Sequence, residues 1–402
     1  MKKGFALLLA LVFALTPALP AFAFTPDEIE ALRGTKLYVY NWGEYISDGE
    51  DDSLDVNAAF EEKYGIKVVY TTFDNNETMY AKIKSGGVTF DVCIPSDYMV
   101  ERMINEDMLQ PIDFDNVPNF KYIAEEYRNL PYDPQNLYSV PYNVGKVGVI
   151  YNTKMVSEPP TSWSALWSEE YKGQILQFNN PRDAFASAQS MLGIDYNTED
   201  AADWRAAAEL LKKQKAVLQS YVNDEVFNKM ESGEAALAPY YAGDFLSMVD
   251  VNPDLAFYYP EEGVNTFVDA MCILKNAQNK AAAELYINFM LESDVALANA
   301  EYICYASPNT QVINNPEYSY YGDEILYPEN PPKEQIYINL SDESLALMNT
   351  LWDEVKNYQP GDDLAGKKAI ASRYTLYLGI FALICAAVII YRAILKKYRE
   401  NY

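Results

Sequence analysis

Residues 35–98 read TKLYVYNWGEYISDGEDDSLDVNAAFEEKYGIKVVYTTFDNNETMYAKIKSGGVTFDVCIPSDY, and two hydrophobic periods alternate along them. Lys36 to Tyr40 is rich in β-formers and is expected to be a strand. Leu54, Ala58, Phe60 and Tyr64 then recur at approximately helical spacing, and Gly65 is the residue type that ends a helix in the left-handed conformation. Ile66 to Thr71 returns to the strand pattern and Thr78 to Ser85 to the helical one. Phe90 to Ile94 makes a short apolar strand that stops at Pro95. Strand–helix–strand units of this length imply a parallel sheet with right-handed crossovers.

The same grammar returns further along. Gln174 to Phe178, Ala235 to Ala238 and Val268 to Leu274 read as strands, and Lys280 to Leu291 and Leu345 to Asn357 as helices. At 402 residues the chain exceeds one ordinary domain. The expected fold class is α/β, in two lobes with parallel-rich sheets, the chain crossing between them near 143 and again near 266. The first lobe is expected over 35–143 plus 269–313 and the second over 144–268 plus 314–358.

Both ends carry address signals. Lys2 and Lys3, the apolar run from Phe5 to Leu15 and the small residues Ala21 and Ala23 have the form of a signal peptide spanning 1–23. At the other end, Tyr374 to Tyr391 is uncharged and would span about 27 Å as a helix. A transmembrane helix is therefore expected over 374–391, with 359–373 as its linker and 392–402 as a cytoplasmic tail. The basic residues Arg392, Lys396, Lys397 and Arg399 suit that side of a membrane.

Composition removes several function classes. A net charge of −27 argues against nucleic acid, which needs clustered Lys and Arg, and is compatible with attraction of cations. The absence of histidine removes the Ser-His-Asp and Cys-His arrangements and the commonest metal ligand. No G-x-S-x-G, H-E-x-x-H or Walker-type loop occurs. No cofactor is expected. Cys93 and Cys272 fall in apolar strand-like runs and read as buried free thiols, whereas Cys304 is ambiguous.

In open α/β sheets ligands bind beyond the carboxyl ends of strands. That rule selects Asn41–Tyr45, Pro95–Tyr98, Asn179–Asp183 and Pro239–Asp244, together with Phe267 and Asp269 at the crossover and Tyr305. Each segment offers an aromatic ring, a carboxylate or both. Carboxylates accept the three N–H donors of a primary ammonium, and ring faces take both the cation and its methylene chain. Taken singly the residues also fit duller roles. Trp42 and Tyr98 suit packing, and Asp183 and Asp244 suit helix caps.

The strings LYVYNWGEYI, LYSVPYNVG, TSWSALWSEEYKG and YASPN, with residues 61–103, closely resemble the periplasmic spermidine/putrescine-binding proteins of polyamine ABC transporters, over roughly 35–357. The resemblance implies a two-lobed periplasmic-binding-protein-like (type II) fold without catalytic activity, acting as a monomer with a polyamine ligand and an ABC permease as partners. It places Trp42 and Tyr45 on the methylene chain, with Ser96 and Tyr98 lining the same box. It makes Asp183, Asp244 and Asp269 the acids, with Glu44 a further one, and Tyr241, Phe267 and Tyr305 the remaining rings. Three departures stand out: Gly43 where Ser or Thr is usual, Asn180 where spermidine-type members have Asp, and Tyr241 where Trp is usual. The acid lost at 180 and the one present at 244 tilt the expectation slightly toward putrescine.

Two rivals remain on the residues alone. Tyr240 and Tyr241 resemble the tyrosine pair of ferric-ion-binding transport proteins on the same scaffold. Asp183 with Asp244 could in principle serve a carboxylate-dependent surface hydrolase.

Overall fold

In the computed structural model, which describes residues 24–360 and Phe381, the first lobe grows from the segment quoted above. After the short helix Pro26–Leu32 (α1), strands Lys36–Trp42 (β1), Lys67–Phe73 (β2) and Val92–Cys93 (β3) are joined through helices Val56–Tyr64 (α2) and Asn76–Lys84 (α3). β1 lies between β2 and β3 and is parallel to both. Asp55 caps α2 by accepting from Ala58 N–H, and Gly65 ends it at φ 68°. A Cβ at Gly65 would also meet the Arg33 guanidinium at 2.4 Å, which that half-exposed side chain could move to avoid; the left-handed φ is what requires glycine there.

Helix Asp97–Asn105 (α4) leads to the 14-residue strand Ser139–Asn152 (β4). The second lobe then runs Ile175–Phe178 (β5), Pro181–Leu192 (α5), Ala201–Gln214 (α6), Leu218–Val222 (β6) and Glu225–Glu231 (α7). It continues through Leu237–Tyr241 (β7), Ala242–Val251 (α8) and Leu255–Tyr258 (β8). Val264–Ile273 (β9) returns to the first lobe, followed by Lys280–Met290 (α9), Ser293–Ile303 (α10) and Thr310–Ile313 (α11). Glu334–Gln335 (β10) and Asp342–Asn357 (α12) close the described chain.

Strand order is β2-β1-β3-β9-β4-β7-β5-β6. The two long strands account for the two-lobed shape. β9 pairs antiparallel with β3 through Val92↔Ile273 and Cys93↔Cys272, and with β4 over Ser139–Lys146. The far half of β4 pairs with β7 and β8. β4 and β9 therefore run side by side through both lobes, and each lobe hangs its parallel units on one end of the pair.

The apolar residues that suggested strands are the buried ones: Leu37, Val39, Val92, Ile175, Leu176 and Leu237 are all fully buried. Each such side chain contributes about 1.5–3 kcal/mol relative to exposure. Cys93, Cys272 and Cys304 are buried free thiols.

One part of the expected fold class is corrected. Among the described residues no helix is long and apolar enough to cross a membrane, so the C-terminal transmembrane helix does not stand as part of the fold. Some described helices are amphipathic, whereas α5 and α9 are buried along almost their whole length. α12, with 16 residues, buries the stripe Ser344, Met348, Leu351, Trp352 and Val355 and leaves acidic residues outward. The fold class is accordingly the two-lobed α/β architecture alone. The segments expected at 359–373, 374–391 and 392–402 fall outside the described residues, apart from residues 359, 360 and 381, as does the signal peptide at 1–23.

Candidate functional site

The carboxyl ends of the strands of both lobes converge on one cleft beside β9, with an empty volume of about 890 Å³ that includes its mouth. All eleven residues selected from the sequence line it: Trp42, Glu44, Tyr45, Ser96, Tyr98, Asp183, Tyr241, Asp244, Phe267, Asp269 and Tyr305. Local structure explains how each arrives. β1 ends at Trp42 and turns through Glu44, whose φ is 48°, so Tyr45 is carried back under the sheet edge. Ser96 is the N-cap position of α4. Phe267 and Asp269, two residues apart on β9, share one face of the strand.

Asp183 and Asp244 are not helix caps. The cap of α5 is Asn180, whose side chain accepts from Asp183 N–H, and the cap position of α8 is Tyr241. Both acids sit in the first turn of their helices instead, where the exposed N–H ends favour negative charge. Their carboxylates face the cleft.

The anchor carboxylates are held from behind. Asp269 accepts from Ser96 Oγ at 2.6 Å and from Tyr45 Oη at 2.8 Å. Asp183 accepts from Tyr241 Oη at 2.7 Å, Asn180 Nδ2 at 2.9 Å and Tyr337 Oη at 2.8 Å. The rings are fixed as well. Trp42 Nε1 donates to Ile94 O at 2.9 Å, and its ring lies 4.6 Å from that of Phe73. Tyr45 meets Tyr305 edge-on at 4.8 Å, and Tyr241 meets Phe267 at 5.4 Å. Two glycines make room for these rings. A Cβ on Gly145 would lie 2.1 Å from the Phe267 ring, and one on Gly243 2.3 Å from the Tyr305 ring.

Seven carboxylates line the cleft, from Glu44, Asp74, Glu77, Asp183, Asp224, Asp244 and Asp269, against the single cation Arg182. Arg182 is already engaged. It donates to Asn197 Oδ1 at 2.9 Å and stacks over the rings of Tyr337 at 4.5 Å and Tyr98 at 5.4 Å. The surplus of acid shows in their proton affinities. Burial lifts Asp244 to about 8; a hydrogen bond from Tyr305 opposes this, while Asp224, Glu44 and Asp269 add to it. Burial lifts Asp269 to about 6, eased by Ser96 and Tyr45 and reinforced by Asp183. Burial likewise raises Glu77. Asp224, at the rim, is raised by loss of water and then by Asp74, Glu44 and Glu225. An array of this kind favours a ligand that brings positive charge.

Burial raises Tyr240 and Tyr241 well above the usual phenol range. Among the described residues no group of three or more Cys, Asp or Glu side chains is placed to hold a metal ion.

Sequence reasoning passed over Asp74, Glu77, Asp224, Tyr337 and Asn265, which also line the cleft. Asp74 and Glu77 follow β2, and Asp224 follows β6. The strand-end rule reaches the first loop once β2 is drawn to Phe73, and the second once β6, not drawn from the sequence, is recognised as a strand.

Fold and cleft are those of a binding protein. The profile of the bacterial extracellular solute-binding protein family matches residues 56–323, and the chain belongs to that family. It is thus a solute-binding protein and not an enzyme. Among its relatives is the spermidine/putrescine-binding periplasmic protein of Salmonella typhimurium. The two are 36% identical over 313 residues, covering 77% of this chain and 88% of the relative. The putrescine-binding periplasmic protein PotF of Escherichia coli is 29% identical over 293 residues, covering 68% and 78%. The solved structure of the spermidine/putrescine ABC transporter substrate-binding protein PotD from Streptococcus pneumoniae superimposes with a TM-score of 0.68. It is 34% identical, covering 81% of this chain and 99% of that one.

Proposed function

We propose that this chain captures a polyamine, putrescine or spermidine, outside the cytoplasm and delivers it to an ABC permease. The observation that carries this reading is the ratio of seven carboxylates to one occupied guanidinium in a single ring-lined cleft. The relatives named for the same ligands support it. An ammonium group needs several acceptors, and its methylene chain needs apolar walls worth about 0.8 kcal/mol per buried CH₂.

In this reading Trp42, Tyr45, Ser96, Tyr98 and Asp269 act from the first lobe, 35–143 plus 269–313, with Tyr305 beside them. Asp183, Tyr241 and Asp244 act from the second, 144–268 plus 314–358, with Phe267 at the crossover and Glu44 at the rim. In this reading the chain acts as a monomer, with the whole cleft drawn from one chain. A cation bridging the acids of both lobes favours the closed arrangement by its differential affinity for the two states. The periplasmic relatives support an exported location.

Thermal-shift screening of the purified chain against putrescine, cadaverine, spermidine, spermine and ferric ion tests the proposal. A rise in melting temperature with putrescine or spermidine, and none with iron, is expected. Indifference to every amine, or a tyrosinate colour with ferric ion, would overturn it.

A further inference from the structure

Two consecutive asparagines stand at the start of α3, and they do different work. Asn75 caps the helix by accepting from Thr78 N–H at 2.9 Å. Asn76, which is buried and lines the cleft, reaches Ser96 instead. Its Oδ1 accepts from Ser96 N–H at 3.2 Å, and its Nδ2 donates to Ser96 Oγ at 3.1 Å.

This two-point contact fixes where the serine proton goes. A backbone N–H can only donate, so the amide oxygen of Asn76 is the atom that must meet it. The amide therefore has one permitted orientation, with its NH₂ against Ser96 Oγ. A hydroxyl carries one proton and two lone pairs. With Nδ2 on one lone pair, the Ser96 proton is directed to Asp269 Oδ1 at 2.6 Å, and one lone pair is left over. Ser96 holds the cap position of α4 yet makes no cap hydrogen bond with its side chain, although serine is a favoured cap. Its hydroxyl is committed to the anchor.

Tyr45 Oη gives its proton to the other Asp269 oxygen. Both hydroxyls beside the anchor thus spend their protons on it and keep only lone pairs for a ligand. An ionised carboxylate is likewise an acceptor only, whereas a primary ammonium brings three donors and no lone pair.

We propose that Asn76 is a positioning residue for the ammonium anchor: by donating to Ser96 Oγ it holds the serine proton on Asp269 and keeps this end of the cleft an array of acceptors. The inference rests on the polyamine reading above. Asn76 acts through Ser96 and needs no contact with the ligand.

The arrangement also bears on the charge of Asp269. Burial raises its proton affinity, and the donors Ser96 and Tyr45 oppose that rise. The other titratable groups that act on it or feel it are Asp97 at the start of α4, Asp183 and Asp244 across the cleft, Tyr142 on β4 and Tyr132 before it. None of these is a cation, so the hydroxyl donors are what favour the ionised form from close by. Loosening the Ser96 proton should move the acid limb of amine binding to higher pH.

The test is isothermal titration of the full chain with putrescine between pH 5 and 8, for the parent, Asn76→Leu, Ser96→Ala and the double variant. Asn76→Leu keeps the volume and removes both contacts to Ser96. It should weaken putrescine binding roughly five- to thirtyfold and shift the acid limb upward. Ser96→Ala should do the same, and the double variant should lose no more than about twofold beyond the weaker-binding single variant, because both act through one hydroxyl. Losses that multiply in the double variant would overturn the inference. So would an Asn76→Leu chain with a lowered thermal melt but the parent's affinity or the parent's pH limb, since that is the mark of a merely structural role. Either result leaves the polyamine reading intact, whereas a parent chain that binds no amine defeats both. Should Asn76→Leu not fold, Asn76→Ala decides by the same comparison.

Discussion

Tyr45 Oη donates to Asp269 Oδ2 at 2.8 Å, tying the loop after β1 to the strand that runs through both lobes. With Ser96 on the other oxygen at 2.6 Å, the carboxylate is fixed in place before any ligand arrives. An acceptor held in position loses little freedom on binding, so its contribution to affinity is large. Asp269→Asn should therefore weaken amine binding roughly ten- to hundredfold, the range of a hydrogen bond to a charged group. Calorimetric titration reads the effect, and an unchanged affinity would remove Asp269 from the site.

Gly243 lies in the first turn of α8 beneath the Tyr305 ring. In an exposed helix a Gly to Ala exchange stabilises by about 0.5–1 kcal/mol. Here the added methyl would meet the ring at 2.3 Å, and both residues are buried, so the sign reverses. Gly243→Ala is expected to lower the urea midpoint and, by displacing Tyr305, to weaken amine binding as well. A variant as stable as the parent would show that the ring has room to move.

The sequence exposes most of this site for one reason. A strand such as Lys36–Trp42 announces itself by β-branched and aromatic residues and Leu237–Tyr241 by the apolar run Ala235–Ala238 at its start, and the α/β topology then sends whatever follows them to one edge. Asp224 escaped because β6, Leu218–Val222, is mostly half-buried with polar residues and lacks an apolar run. Tyr337 escaped for a different reason. It lies in irregular chain after β10, and only tertiary packing brings it against Asp183. Whether Asp183 and Asp244 were caps could not be read from composition, because the true cap of α5, Asn180, lies three residues earlier and is equally suited to the task.

Tyr337 offers a separate check on how Asp183 is held. Its hydroxyl is one of three donors to that carboxylate, and its ring also packs under Arg182. Tyr337→Phe keeps the ring and removes the donor, so unfolding free energy should fall by about 1.5 kcal/mol. Affinity should fall less than fivefold, because Tyr241 and Asn180 still orient Asp183. A loss as large as that of Asp269→Asn would place the Tyr337 hydroxyl on the ligand itself.

The acids of the cleft make both stability and binding depend on pH, with opposite signs. Asp244 titrates at about 8 and Asp269 at about 6 in the folded chain, against about 3.9 for an unfolded aspartate. The folded state therefore holds more protons than the unfolded one above pH 4, and the stability of the ligand-free chain falls as pH rises from about 4 to about 8. A bound polycation favours the ionised carboxylates and drives those protons off, so amine affinity should rise with pH from about 6 to about 8 and level off above. Titrations in buffers of different ionisation enthalpy at pH 6.5 should show net proton release on binding. Asp244→Asn should remove the upper part of that pH dependence, leaving the part centred near Asp269. Binding that is flat across this range, with no proton released, would mean that neither acid is protonated in the empty cleft.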